Sequence, residues 1–346
     1  MGRYQGGAWR ADRHAAAEGR VSTSGSWDFS RTAAQVIASA YEDIGAIAPG
    51  GTVSSADSTM ALARLNMIAK QFQGTADGAP GLKVHTRQRV TLFLAKGQQQ
   101  YLVGPASTDA RATTQYGRTT LSGAEAANQT TLSITSNTDT TTYPGTTVTM
   151  TASDIIGIEL DDGTIHWSTI SGTPSTTADI ATGLASAAAA GNYVYWFTSR
   201  AQRFPVIESA VLRNSSLNDT GLDVYTVPQE YELGVADKYA DGQPQAILVE
   251  PLRIATRVTL NSQPTDVTQQ ILMTVLYPAE DYDASSDDIA FPQEWLMPLA
   301  LQLSFNIAPT YGRKWTDAME LNRKEALQIA RNLNPENSVL YFQSAT

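Results

Sequence analysis

The chain has no cysteine in its 346 residues. Disulfides, thiolate metal sites and a cysteine nucleophile are therefore excluded, and redox compartment is left unconstrained. Charge is also sparse: Asp, Glu, Lys and Arg make up 17% of the chain, and the net charge is -10. An acidic chain lacks the basic stripe that tight nucleic-acid binding requires. Nor is there an apolar run approaching the roughly 20 residues of a membrane span. The opening MGRYQGGAWRADRH lacks the apolar stretch of a signal peptide. Only three histidines are present, His14, His85 and His166, far apart and without partners at ligand spacing. Nucleophile-elbow, P-loop, Rossmann-glycine and zincin motifs are all missing. The reading is accordingly no enzyme, with no catalytic, cofactor-binding or metal residue assigned.

What is present is enough apolar sequence for a sizeable core, 42% of residues. At about 150 residues per domain the length suggests two domains. Residues 1–30 read as an arm carrying Arg3, Arg10, Arg13 and Arg20. Its aromatics Tyr4, Trp9, Trp27 and Phe29 leave packing on a neighbour and plain disorder both open. A capping box at Thr32 and Gln35 opens a helix with the face Ala33, Val36, Ile37, Ala40, Tyr41 and Ile44. Ser54 and Asp57 open a second, with Ala61, Leu62, Leu65, Ile68, Ala69 and Phe72 inward and Gly74 as its stop. The two should form a hairpin. Alternating residues 89–94 and 100–105 around Gly97 predict a β-hairpin.

Composition shifts at about residue 106. From there to about 190 Thr, Ser, Ala and Gly dominate, and the segment to 199 holds strand-like runs at 131–134, 146–150, 155–160, 164–167 and 193–197. Asp162-Gly163 marks a hairpin turn. The segment reads as an inserted all-β barrel or sandwich. Strands at 205–212, 246–249, 257–260 and 270–277 follow, with a helical turn near Pro228. Two helices close the chain. One buries Trp295, Leu296, Leu299, Leu303 and Ile307. The other places Ala326, Ile329, Ala330 and Leu333 at helical spacing. The expected fold class is α+β: a helical core built from the N-terminal hairpin and the two C-terminal helices, with β-strands and an inserted all-β barrel or sandwich domain. Its parts are the arm 1–30, a core of 31–105 and 200–335, the insertion 106–199, and a tail 336–346 whose Val339, Leu340, Tyr341 and Phe342 are apolar enough to dock on a partner.

Two acidic segments invite chemistry. Residues 281–288 alternate oxygen ligands like a calcium loop, but Ser286 stands where the turn glycine belongs and Pro292 where the bidentate glutamate belongs. A solvated loop or a subunit contact accounts for them better. Asp161-Asp162 could pair for acid–base work, yet Asp162-Gly163 is ordinary turn chemistry.

Four blocks together carry a resemblance: Ala40-Tyr41-Glu42-Asp43-Ile44-Gly45 with 61–68, the run 92–101, the run 154–167, and Phe291-Pro292-Gln293-Glu294-Trp295-Leu296 leading to 307–312. In this order, spanning most of 32–333, they resemble the podophage head-to-tail adaptor family, the P22-like tail accessory factors or packaged-DNA stabilisation proteins. The resemblance implies a structural virion protein at the head–tail interface, assembled in the host cytoplasm. It implies a homo-oligomer, a dodecameric ring, with the portal on one face and the tail nozzle, tail tube or fibres on the other. DNA would pass through without sequence-specific binding, no membrane would be involved, and Tyr341 and Phe342 would reach towards the portal. The competing reading is a virion adhesin or carbohydrate-binding tail component, motivated by Trp167 and Trp196 in the Thr/Ser-rich insertion. A wall-degrading enzyme is a third class, for which no poised acid or nucleophile stands out.

Overall fold

A computed structural model describes residues 29–73, 86–106, 110–143, 145–238 and 240–333. These divide into two compact units: the chain ends, up to Ile68 and from Tyr282, form one, and Ala69–Asp281 the other.

In the first unit, α1 (Ala33–Asp43) starts at the expected capping box, with Gln35 N–H donating to Thr32 Oγ1 and Thr32 N–H to Gln35 Oε1. All six residues of its apolar face are buried. Helix α2 (Ser55–Phe72) starts where Ser54 and Asp57 cap each other. Ala61, Leu65, Ile68 and Ala69 are buried. The stop assigned to Gly74 lies outside the described residues. Helix α3 (Pro228–Gly234) belongs to the second unit. In the first unit, α4 (Gln293–Ile307) is followed by a 3₁₀ turn, Ala308–Tyr311, and Gly312 at φ +61° ends it in the left-handed region open to glycine. Helix α5 (Asp317–Leu333) follows, and α4 packs on both α1 and α5. Polar ties join the elements: Tyr41 Oη lies 3.1 Å from Tyr311 Oη, whose hydroxyl donates to Asp57, and Arg64 donates to Asn306 O and Thr310 Oγ1.

The second unit is β-rich. Its strands are β1 (Thr86–Phe93), β2 (Gln100–Val103), β3 (Arg111–Thr113), β4 (Gly117–Thr120), β5 (Thr131–Ser133), β6 (Thr138–Asp139), β7 (Val148–Thr149) and β8 (Ile155–Glu159). There follow β9 (Ile165–Thr169), β10 (Thr177–Asp179), β11 (Tyr193–Phe197), β12 (Val206–Arg213), β13 (Asp219–Tyr225), β14 (Ala246–Pro251), β15 (Thr256–Leu260) and β16 (Gln270–Tyr277). Eight of them form one sheet in the order β2-β15-β14-β13-β12-β16-β1-β3. All neighbours are antiparallel except β13 and β14. A parallel pair needs a crossover, and α3 lies in that connection, its Tyr231 hydroxyl donating to Leu260 O.

This overturns the expected fold class. The chain is mostly β, and the strands of residues 86–103 and 206–277 belong, with residues 106–199, to the β-rich second unit. Those strands have a core of their own, in which Val90, Leu92, Ile247, Val258, Ile271, Met273 and Val275 are fully buried. Nearly continuous burial along β16 marks a central strand covered on both faces. The helices were prominent because 3.6-residue periodicity is a strong local signal. The weight of the sheet comes from pairings between segments far apart in sequence.

The hairpin expected at Gly97 does not form either. Gly97 does turn the chain, at φ +73°, but β1 pairs with β16 and β3 while β2 pairs with β15. Six strand intervals separate β2 from β1, about 29 Å in a flat sheet. Seven residue steps from Phe93 to Gln100 reach at most about 25 Å. The sheet must therefore curl, and Ala95 N–H donates to Tyr101 Oη across the connection.

Within 106–199, β3 joins the large sheet, and the rest forms a four-stranded sheet, β4-β11-β8-β9, with the ladders β5–β10 and β6–β7. The Asp162-Gly163 turn joins β8 to β9 as expected, with Gly163 at φ +75°. Leu132, Ile156, Ile158, Val194 and Trp196 centre its core. A second, aromatic cluster places Phe93 of β1 within 5.2 Å of the rings of Tyr116, Trp167 and Tyr195. Two indoles lie over cross-strand glycines: Trp196 is paired with Gly117, and Trp167 with Gly157.

Candidate functional site

The features that invite a docking role lie on the two C-terminal helices. Helix α4 is apolar around much of its circumference. Trp295, Leu296, Leu299, Leu303 and Ile307 are buried, as the spacing required, and so are Ala300 and Leu301, while Met297 and Phe305 reach the surface. Helix α5 is strongly amphipathic but buries only Ala326 and Ala330. Ile329 and Leu333, which share the helical spacing of the two alanines, are 52% and 63% exposed, and Leu321 is 67% exposed. Small alanines let α5 approach α4, while the larger apolar residues stand outside the contact.

A polar clamp holds the pair. Arg323 donates to both oxygens of Glu320 and to Gln302 Oε1 on α4 at 2.6 Å, and its guanidinium lies 5.1 Å from the Phe305 ring centroid. Trp315 Nε1 donates to Glu320 as well, and Lys324 Nζ stands 3.3 Å from it. Hydrogen bonding from Arg323 is the main reason that the Glu320 carboxyl is held down at about 2, below its usual 4.5; Trp315 and Lys324 act in the same direction. The sign follows: the contribution is full above pH 4.5 and is lost as pH falls towards 2. The midpoint of urea unfolding should fall over that interval, and Glu320→Gln should fall less steeply than wild type. Parallel curves for the two proteins would show that the clamp is not a titrating element.

The other residues singled out by sequence fall as follows. Val339, Leu340, Tyr341 and Phe342 lie outside the described residues, as do His14 and His85. His166 Nε2 sits 3.2 Å from Thr182 O, a structural contact. Asp161 Oδ1 accepts from Ala189 N–H and Asn192, and Asp162 Oδ1 accepts from the N–H and hydroxyl of Thr164, so both carboxylates act in turns. In the calcium-like segment Asp281 pairs with Lys70 at 2.9 Å, and Asp287 Oδ2 accepts from the N–H groups of Asp283 and Ala284. Among the described residues no group of three or more His, Asp or Glu side chains is placed to hold a metal. Also among them, no helix is long and apolar enough to cross a membrane. Trp196, one of the two indoles behind the adhesin reading, is 1% exposed and is a core residue; Trp167 is half-buried. Sequence reasoning missed the outward position of Leu321, Ile329 and Leu333. Its only signal was the alternation of Ala with larger apolar residues along α5.

No protein-family model matches the chain, and no curated protein matches it.

Proposed function

We propose that this chain is a structural head-to-tail adaptor of a tailed bacteriophage. Copies of it would form a dodecameric ring between portal and tail nozzle or tube, extend the DNA channel and retain the packaged genome. The observation that carries this reading is the outer edge of α5, where Leu321, Ile329 and Leu333 are all more than half exposed. Large apolar side chains grouped on one short helix are what a subunit contact covers. The ordered likeness of residues 32–333 to the adaptor family supports the same reading, and so does the acidic balance of -10, which suits a wall past which DNA slides.

Mass photometry of the purified protein, alone and with the portal ring of its phage, tests the proposal. The expected result is a portal-dependent mass increase of about one copy per portal subunit, because ring contacts among many copies reinforce one another. The Leu321→Ser, Ile329→Ser double variant should lose that increase while keeping its melting temperature, since neither side chain is buried. A wild-type chain that leaves the portal mass unchanged would defeat the proposal.

A further inference from the structure

A groove in the first unit has a volume of about 370 Å³, and Phe29, Arg31, Asp43, Leu296, Met297 and Leu301 are among the residues that line it. Helix α4 supplies its apolar side, where Leu296 and Leu301 are buried. The large apolar side chains of Phe29 and Met297, by contrast, are 62% and 56% exposed. The space far exceeds the roughly 30 Å³ share of one water, so it suits a large side chain. An ion is a poor occupant. Arg31 and Asp43 put one charge of each sign in the lining and already interact with each other.

The course of the chain names a better one. Residues 31–33 run beside 287–289: Ile289 N–H donates to Arg31 O at 2.9 Å, Ala33 N–H donates to Asp287 O at 2.8 Å, and Thr32 forms an antiparallel bridge with Asp288. Thr32 has extended backbone angles there. An extended chain turns every second side chain to the same side. Phe29 and Arg31 both line the groove, and the preceding position in that series is Trp27. Two residue steps span at most about 7 Å, so the indole can reach the groove of its own chain with almost no loop to close. A buried indole also needs an acceptor for its N–H. Asp43 offers one: its Oδ2 accepts from the Ser304 hydroxyl at 3.2 Å, and a carboxylate has room for further donors.

We propose that Trp27 docks in this groove of its own chain, with its indole packed on Leu296, Met297 and Leu301. The docked indole straps the segment before Phe29 across α1 and α4. It covers apolar surface that Phe29 and Met297 otherwise leave open, and it fixes where the N-terminal segment departs from the helices.

Tryptophan fluorescence of the full chain tests this, with the contribution of Trp27 taken as the difference between each protein and its Trp27→Phe counterpart. That contribution should be blue-shifted and resist quenching by acrylamide. Met297→Glu, a change at an exposed position that leaves the fold intact, should make it several-fold easier to quench. The absence of cysteine allows a nitroxide to be placed on Asn322→Cys, at another residue of the lining. The label should quench Trp27 in the same chain. A labelled Trp27→Phe chain mixed with unlabelled wild type should leave Trp27 emission unchanged. Quenching in the mixture would give the groove to a second copy and overturn the proposal. It is equally overturned if acrylamide quenches Trp27 as freely as it quenches free tryptophan, if Met297→Glu changes nothing, or if the label in the same chain has no effect. Portal association enters none of these measurements, so the two proposals stand or fall separately.

Discussion

Gly117→Ala should be among the most damaging single-methyl changes in the molecule. Gly117 in β4 faces Trp196 in β11, and an added Cβ would lie 2.1 Å from the indole Cζ2. The indole cannot step aside. It is 1% exposed and sits in the core with Leu132, Ile156, Ile158 and Val194. Overpacking of a tight core costs about 1–3 kcal/mol and occasionally more, and the upper end is expected where a large rigid ring is the obstacle. Trp196→Leu alone should also destabilise, by opening a cavity. In Gly117→Ala, Trp196→Leu the new methyl would occupy part of that cavity, so the double variant should be more stable than the two single losses added together. Denaturant unfolding of the four proteins measures the coupling. Strict additivity would show that the Trp196 indole is not what the added methyl meets.

Asp139→Ala is expected to cost at least about 3 kcal/mol, as several charge-assisted hydrogen bonds are lost together. The carboxylate is 4% exposed. Oδ1 accepts from the N–H and hydroxyl of Thr141 at 2.7 Å each and from Thr142 N–H at 3.3 Å, while Oδ2 accepts from Arg118 N–H at 2.9 Å and from the Thr142 hydroxyl. Alanine would leave the donors on Arg118 and Thr142 without this acceptor. Burial pushes the Asp139 carboxyl up, but the hydrogen bonds from Thr142, Thr141 and Arg118 together outweigh it and hold the group below its usual 3.8. The contribution is thus present above pH 3.8 and fades as pH falls below it. Asp139→Asn keeps one acceptor oxygen but points an amide at other donors, so it should lie between wild type and alanine. Equal stability of Asp139→Ala and wild type at pH 7 would mean that water satisfies these donors.

Much of the local structure was legible in the residues. The Thr32–Gln35 box and the buried face from Ala33 to Ile44 are decided by neighbours within one or two helical turns, and both are found as expected. The same is true of the Asp162-Gly163 hairpin, where the turn itself demands a residue tolerant of positive φ. Strand β13 was overlooked because Asp219–Tyr225 alternates poorly and contains Gly221. Its membership of the sheet comes from β12 on one side and β14 on the other. The supposed β1–β2 hairpin failed for a related reason. A turn residue fixes where the chain bends, not which strand accepts its hydrogen bonds.

By itself, then, the sequence determined the absence of thiol chemistry, the acidic balance, the starts of the main helices and the tight turn at Gly163. These are properties of composition or of contacts a few residues apart. Only the tertiary structure decided that the chain is mostly β, that Trp196 is core while Trp167 is half-buried, and that Ile329 and Leu333 face outward. Each of these depends on which distant segment covers a given face, and hydrophobic periodicity states that a face is apolar without naming what will cover it.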